Sequence, residues 1–204
     1  MRNVHSCEKY ILSSMNEFIE DRMYLRSFLS FIERNVGSWA VLGGAPRSWA
    51  LGHSLVRDID IVVSGEMDKL EDEIRNWTSN FSESSVSIIG KNKHGGIRLY
   101  TKDIKIDIWS LYESTMYDDK YISQIRKNPY RWASRISCLS LDSLVVTSRG
   151  AIYDNGFFES MDTGIIRIIN VPSMGLDKIV EKALRLSAET GFSLDIKIQC
   201  LINT

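Results

Sequence analysis

The chain is poor in the residues and patterns that mark secreted, metal-stapled and membrane-spanning proteins. Its only cysteines are Cys7, Cys138 and Cys200, which are too few and too scattered for a disulfide framework or a zinc site. It has no apolar run of membrane-spanning length and no signal-peptide pattern at its N-terminus. These absences predict a cytoplasmic protein that has no membrane partner.

The chain also contains few prolines and has little net charge. Three prolines and no low-complexity tract give no sign of a flexible linker, so 204 residues that are 44% hydrophobic fit one compact domain or one domain with a small appendage. The formal net charge is -1, which argues against a general affinity for nucleic acid and leaves only a local basic patch open.

Hydrophobic periodicity divides the chain into three segments. Apolar residues at helical spacing predict one long helix or two shorter ones within residues 7–34. From residue 39 onwards short strands and helices interleave without strict alternation, which predicts an α/β (α+β) protein with a small mixed β-sheet flanked by helices. We therefore assign an N-terminal helical segment (residues 1–36), a central α/β domain (residues 37–170) and a C-terminal helical segment (residues 171–204).

Local patterns predict the individual elements of the two later segments. The predicted strands occupy residues 39–42, 57–63, 86–89, 97–101, 104–109, 139–147, 152–153 and 165–169. The predicted helices occupy residues 66–80, 111–127, 173–190 and 194–201. Ser173 is the expected N-cap of the third of these helices, and Gly191 is expected to end it.

The most informative segment is a glycine turn that is followed by paired carboxylates. Gly43 and Gly44 follow a predicted strand and precede a short helix, whose first turn suits Pro46. In the next strand Asp58 and Asp60 share one face, because side chains alternate along a strand. Two adjacent carboxylates on a buried strand are costly without a positive partner, so a divalent cation is expected between them.

A third aspartate, Asp107, has the same apolar framing in a later predicted strand. If that strand neighbours the one with Asp58 and Asp60, the three carboxylates converge and can hold two Mg²⁺ (or Mn²⁺) ions. One ion would lower the pKa of an attacking hydroxyl, and the other would neutralise a triphosphate and its leaving group. The Gly43-Gly44 turn would bring backbone N–H groups close to phosphate oxygens.

Separately these motifs are weak, since an Asp-x-Asp arises readily by chance and a Gly-Gly pair is usually only a turn. Their order along the chain is more specific. It resembles the class II polynucleotide nucleotidyltransferases of the DNA polymerase β superfamily, which are tRNA CCA-adding enzymes and bacterial poly(A) polymerases. The residues that match the family's Gly-Gly-x-Val-Arg-Asp-x-Leu-Leu-Gly segment and its Asp-x-Asp are Gly43, Gly44, Arg47, Leu51, Gly52, Asp58 and Asp60.

The resemblance extends in order over residues 38–196. Residues 95–99 and 106–108 resemble the family's next two strands, the second of which holds the third carboxylate, and residues 183–195 resemble its neck helix. The resemblance implies a polymerase β-type nucleotidyltransferase head with an added N-terminal helical segment and a truncated helical neck. It implies that Asp58, Asp60 and Asp107 are the catalytic metal ligands.

The implied reaction is the transfer of a nucleoside monophosphate from an NTP to an acceptor hydroxyl, such as an RNA or tRNA 3′ end, with release of pyrophosphate. The residues expected to contact the nucleotide or its phosphates are Gly43, Gly44, Arg47, His53, Arg57 and Arg98.

Departures from the family pattern keep other functions open. Ser48 stands where the family has Asp, Asp142 stands where it has Asn, and residues 175–179 lack the Glu-Asp-x-x-Arg motif that reads the nucleobase. One alternative is a compact nucleotidyltransferase that modifies a protein or a small molecule, as toxin-like and antibiotic-modifying members of the superfamily do. The other is a catalytically degenerate nucleotide-binding accessory protein.

Two further surfaces are candidates for partners. Basic and aromatic residues that suit contact with single-stranded nucleic acid are Arg126, Lys127, Tyr130, Arg131 and Arg135. A solvated basic helix end explains the same pattern. The apolar positions of the N-terminal segment predict either core or a surface for a homodimer or a partner protein.

Overall fold

The computed structural model describes residues 4–53, 55–92, 95–113, 121–171 and 175–202. Two helices come first, α1 (Val4–Glu20) and α2 (Met23–Asn35). Their inward-facing residues Ile11, Met15, Phe18 and Phe28 are buried in the chain's own core. The apolar pattern of the N-terminal segment is therefore a core pattern, and two helices fill the span for which one or two were predicted.

A seven-stranded mixed sheet forms the centre of the molecule. Its strands are β1 (Trp39–Leu42), β2 (Asp58–Val63), β3 (Val86–Lys91), β4 (Ile97–Thr101), β5 (Lys105–Ser110), β6 (Val145–Thr147) and β7 (Ile152–Tyr153). They lie in the order β3-β4-β5-β2-β1-β6-β7. The β2–β5 pair is parallel, and the other neighbouring pairs are antiparallel.

Helices flank this sheet, as the sequence predicts for a mixed α/β protein. They are α3 (Gly44–Leu51), α4 (Met67–Thr78), α5 (Ile122–Lys127), α6 (Pro129–Ile136), α7 (Phe157–Thr163), α8 (Leu176–Thr190) and α9 (Ile196–Ile202). A separate parallel pair joins β8 (Ile165–Ile166) to β9 (Ser193–Leu194). None of the helices within the described ranges is long and apolar enough to cross a membrane.

The two faces of the sheet are covered differently. On one face Ile59 and Ile106 pack into the large core, which also takes side chains from α1, α2, α3, α4 and α8. On the other face Val62 and Trp109 pack into a smaller core with Tyr130 of α6. Burial along β2 increases from an exposed Asp58 to a fully buried Val62, so this second face is open only at the start of the strand.

Two of the predicted strands are wrong in part. Only residues 145–147 of the predicted strand 139–147 are a strand, because Ser140–Asp142 forms a 3₁₀ turn in which the Ser143 hydroxyl donates to the Ser140 carbonyl at 2.7 Å. Serine and aspartate side chains compete in this way with strand hydrogen bonds. The predicted strand 165–169 is likewise reduced to β8.

The helix predicted at 111–127 is helical only from Ile122 to Lys127 among the described residues, and 114–120 lie outside them. At its start the Tyr112 N–H donates to the Ser110 hydroxyl at 3.0 Å, which turns the chain away from a helix. The predicted N-cap Ser173 also lies outside the described residues, and α8 begins at Leu176. Gly191 ends α8 in a left-handed conformation, as expected.

Candidate active site

The parallel pairing of β2 with β5 positions the three aspartates that the sequence singles out. Asp60 lies opposite Asp107, and Asp58 lies opposite Lys105, two residues earlier on both strands. Because alternate residues of a strand share a face, all four side chains belong to the face that is open at the start of β2. Asp58 is exposed, Asp60 is partly buried and Asp107 is 7% exposed.

Arg98 neutralises Asp107 through a bidentate ion pair. The antiparallel β4–β5 register places Arg98 opposite Asp107, where its Nε and Nη2 donate to the two carboxylate oxygens at 2.8 and 2.9 Å. This hydrogen bonding and the negative charge of Asp107 raise the pKa of Arg98. Arg98, predicted as a nucleotide contact, is thus bound to the third carboxylate in this structure.

Lys105 joins two of the carboxylates. Its Nζ lies 3.1 Å from Oδ2 of Asp58 and 3.7 Å from Oδ2 of Asp107. Burial by itself lowers the pKa of Lys105, but the hydrogen bond to Asp58 and the charges of both aspartates outweigh burial and raise it. Lys105 was not predicted as a site residue, and only the strand register, which places it opposite Asp58, could have suggested a role for it.

Asp60 is a partly buried carboxylate between two others. Burial, together with repulsion from Asp58 and Asp107, raises the pKa of Asp60 to about 6. Its Oδ2 lies against the turn that ends β1, since a Cβ on Gly43 would sit 3.1 Å from that atom. Gly43 also has a φ of +76°, which other residues rarely adopt. The glycine turn and the carboxylate therefore pack directly together.

These residues fit a divalent cation in their chemistry. Magnesium and manganese prefer carboxylate oxygens, and a bound cation would relieve the repulsion that raises the pKa of Asp60. Within the described part of the chain, however, no three His, Cys, Asp or Glu side chains form a ready-made chelating group. Lys105 and Arg98 occupy oxygens of Asp58 and Asp107 instead.

An open cleft of about 370 Å³ begins beside Asp58. Its walls come from α3, the segment before β2 and the end of α8, and the residues that line it are Gly44, Arg47, Ser48, Leu51, His53, Leu55, Val56, Arg57, Asp58, Glu189 and Thr190. Four predicted phosphate or nucleotide contacts, Gly44, Arg47, His53 and Arg57, thus lie around one cavity that reaches a predicted metal ligand.

A buried charge cluster supports the cleft wall. Arg47 pairs through Nη1 with Oδ1 of Asp142, and Nζ of Lys182 lies 2.6 Å from Oδ2 of the same carboxylate, outside the direction of a good hydrogen bond. Asp142 is 2% exposed, and burial lowers the pKa of both Arg47 and Lys182. Two cations therefore share one buried carboxylate.

This buried charge cluster was not predicted from the sequence. The one sequence signal for it was Asp142, which stands where the resembling family has Asn, because a buried carboxylate needs a cationic partner. The partners could not be read from the sequence, since Arg47 and Asp142 are 95 positions apart.

The predicted basic and aromatic cluster is only partly at the surface. Tyr130 is 9% exposed, and its hydroxyl donates to the Ser38 hydroxyl at 2.8 Å, so its ring cannot stack on a base. Arg126 pairs with Glu66 at 3.1 Å and lies over the ring of Tyr112. The residues of this cluster that are exposed on α5 and α6 are Arg126, Lys127, Arg131 and Arg135.

No protein-family model matches the chain, and comparison with curated proteins finds no significant sequence match. Solved structures do match its fold. A CCA-adding enzyme in complex with CTP has a TM-score of 0.68 at 17% identity, over 94% of this chain and 44% of that one. A CCA-adding enzyme in complex with ATP has a TM-score of 0.62 at 21% identity, over 95% of this chain and 44% of that one.

The Thermotoga maritima CCA-adding enzyme complexed with tRNA gives a TM-score of 0.62 at 19% identity, over 91% of this chain and 43% of that one. The chain therefore spans less than half the length of these structures. Its fold is that of the nucleotidyltransferase head of CCA-adding enzymes, which confirms the fold expected from the order of the motifs.

Proposed function

We propose that this chain is a divalent-metal-dependent nucleotidyltransferase, which passes a nucleoside monophosphate from an NTP to an acceptor hydroxyl and releases pyrophosphate. The observation that carries the proposal is the β2–β5 register, which gathers Asp58, Asp60 and Asp107 on one open face. That face meets a cleft with cationic walls, on a fold shared with enzymes solved in complex with CTP, ATP and tRNA.

In this proposal some of the chain's residues bind the cation and the phosphates, and others position the acceptor hydroxyl. Asp58 and Asp60 would hold a divalent cation, which when bound supplies positive charge to a triphosphate and lowers the pKa of an acceptor hydroxyl. Arg47 and Arg57 line the cleft beside them and would attract and orient phosphate oxygens. Asp107, which is hydrogen-bonded to Arg98, lies opposite Asp60 and would help to position the acceptor hydroxyl.

The backbone of the glycine turn would contact the triphosphate. Gly43 precedes the N-terminus of α3, where free N–H groups and the helix dipole favour anions. Gly44 lines the cleft, and without a side chain it lets phosphate oxygens approach its backbone. Both glycines therefore stand at the junction of the carboxylates and the cleft.

We propose an RNA 3′ end, such as that of tRNA, as the acceptor. Exposed Lys127 and Arg131 on α5 and α6 supply cations for an RNA backbone. Ordered addition of different bases is not proposed, because Leu176 is exposed and Ile179 is buried in the core at the positions where the resembling family reads the base. Transfer to a protein is the alternative outcome of the acceptor screen below.

One observation favours the non-catalytic alternative, a nucleotide-binding accessory protein. Arg98 engages both oxygens of Asp107, which neutralises the third carboxylate. Such a protein would bind NTP and divalent cation with normal affinity but would not release pyrophosphate.

The test incubates the chain with each of the four α-labelled NTPs and Mg²⁺, with total tRNA, with a protein mixture, or without acceptor. We expect label on tRNA and equimolar pyrophosphate, and a loss of about 100-fold or more in Asp60→Asn. Asp162→Asn, an exposed position on α7, is the matched control. Label on protein alone supports the alternative acceptor, and calorimetric binding of Mg²⁺–NTP without pyrophosphate supports the accessory protein.

A further inference from the structure

The carboxylate face already contains cations that belong to the chain. Asp58, Asp60 and Asp107 carry three negative charges when ionised, and Lys105 and Arg98 are paired with two of these groups. The third carboxylate on this face, Asp60, is left without an ion-pair partner among the described residues. None of the hydrogen bonds or ion pairs in the described part of the chain gives Asp60 a cationic side chain within 4.0 Å.

Lys105 differs from an ordinary surface lysine in how firmly it is placed. The β2–β5 register sets it opposite Asp58 and two residues before Asp107 on the same face. Its side chain is 23% exposed, and its ammonium lies between an oxygen of Asp58 at 3.1 Å and an oxygen of Asp107 at 3.7 Å. The compact positive charge of a lysine ammonium between two carboxylates reduces their mutual repulsion, as a bridging metal ion would.

We infer that Lys105 is a built-in cation that takes the place of one metal ion, so that this site binds a single divalent cation, held by Asp60 and Asp58. The inference rests on the proposed function, because it describes how the same carboxylates are neutralised. One divalent ion changes the net charge of the face from one negative to one positive, which suits an incoming triphosphate. A second ion would have to displace Lys105 from Asp58 and Asp107.

The first test counts bound Mn²⁺ by the loss of its free electron paramagnetic resonance signal, on the full chain without nucleotide. We expect one Mn²⁺ per wild-type chain and two per Lys105→Met chain. Lys105→Arg, which keeps the charge, and Lys102→Met, an exposed lysine three residues away, are both expected to bind one. Two ions on the wild type, none on it, or one on Lys105→Met would each overturn the inference.

The second test needs no variant and covers the case in which Lys105→Met does not fold. Amine labelling, read by mass spectrometry, compares Lys105 with Lys102 in wild-type protein with EDTA and with saturating Mg²⁺. We expect Lys105 to stay at least fivefold less reactive than Lys102 in both conditions, because a single ion leaves its ion pairs intact. Reactivity that rises to the level of Lys102 with Mg²⁺ would show displacement and overturn the inference.

These readouts separate the inference from the proposed function. One bound ion and a protected Lys105 in a chain that transfers no nucleotide would leave the built-in cation in place and refute the enzyme. Nucleotide transfer by a chain that binds two ions would support the enzyme and overturn the inference that Lys105 replaces a metal ion.

Discussion

Asp60 lies directly opposite Asp107 in the parallel pair of β2 and β5, so two carboxylates from distant parts of the chain face the same side of the sheet. Asp58 adds a third on the same side, and burial with the combined repulsion raises the pKa of Asp60 to about 6. This arrangement opposes folding when all three groups are ionised. A proton or a cation on Asp60 removes this cost.

The first prediction concerns stability against pH in the presence of EDTA. Asp60 has a pKa of about 6 when folded and near 3.8 when unfolded, so between these values the folded chain keeps a proton that the unfolded chain has lost. Its stabilising contribution is complete below pH 4 and is lost as the pH rises through 6. That loss is on the order of 3 kcal/mol of unfolding free energy.

Asp60→Asn removes this loss, because its side chain stays neutral at every pH. We expect the variant and the wild type to have similar unfolding free energies near pH 4, and the variant to be more stable at pH 7.5, as measured by urea denaturation. Asp162→Asn should follow the wild-type curve. Parallel curves for Asp60→Asn and the wild type would contradict the pKa assigned to Asp60.

The second prediction separates backbone strain from contact with the carboxylate. Gly43→Ala places a Cβ 3.1 Å from Oδ2 of Asp60 at a φ of +76°, so it should lower stability by about 2 kcal/mol and nucleotide transfer by about tenfold or more. Gly164→Ala has a similar φ of +65°, with no atom of the described residues within 4 Å of its Cβ. It should cost about 1 kcal/mol and leave the transfer rate unchanged.

The third prediction concerns the buried charge cluster. Asp142→Asn leaves Arg47 and Lys182 facing each other without a negative charge, and it should lower the unfolding free energy by about 3 kcal/mol. Lys182→Met leaves the Arg47–Asp142 pair intact, and the lysine is 41% exposed, so its cost should be about 1 kcal/mol or less. Equal costs in chemical denaturation would show that Asp142 does not hold the two cations together.

The fourth prediction assigns RNA binding within α5 and α6. Lys127→Ala and Arg131→Ala remove exposed cations and should each weaken binding of a single-stranded RNA, with a salt dependence reduced by about one unit of slope. Tyr130→Phe removes the buried hydroxyl that donates to Ser38 and keeps the ring, so it should cost about 1 kcal/mol of stability and leave RNA affinity unchanged. Fluorescence anisotropy at several salt concentrations measures both, and weaker binding by Tyr130→Phe would contradict the buried position of its ring.

The features that could be predicted from the sequence are those that depend on a few neighbouring residues. The bounds of β1 follow from four consecutive apolar residues, and the shared face of Asp58 and Asp60 follows from the alternation of a strand. The end of α8 at Gly191 follows in the same way, because a left-handed C-terminal residue favours glycine.

Contacts between residues that are far apart in the sequence could not be predicted. The pairing of Lys105 and Arg98 with carboxylates could not be predicted, because only the strand register places them beside Asp58 and Asp107. Helix α6 was not predicted because it is eight residues long and rich in basic and aromatic residues, although Asn128 caps it and Pro129 occupies its first turn. Its burial against β6 and β1 supplies the stability that its own sequence lacks.

The parallel pairing of β2 and β5 also has a kinetic consequence. Asp58 and Lys105 are separated by 47 positions, so the carboxylate face is completed only when a long loop closes and β5 docks beside β2. The antiparallel pairs β3–β4 and β4–β5 are much more local and can form before that step. Refolding should therefore pass through its slowest barrier while the site is being assembled, and conditions that screen or neutralise the aspartates should accelerate that phase.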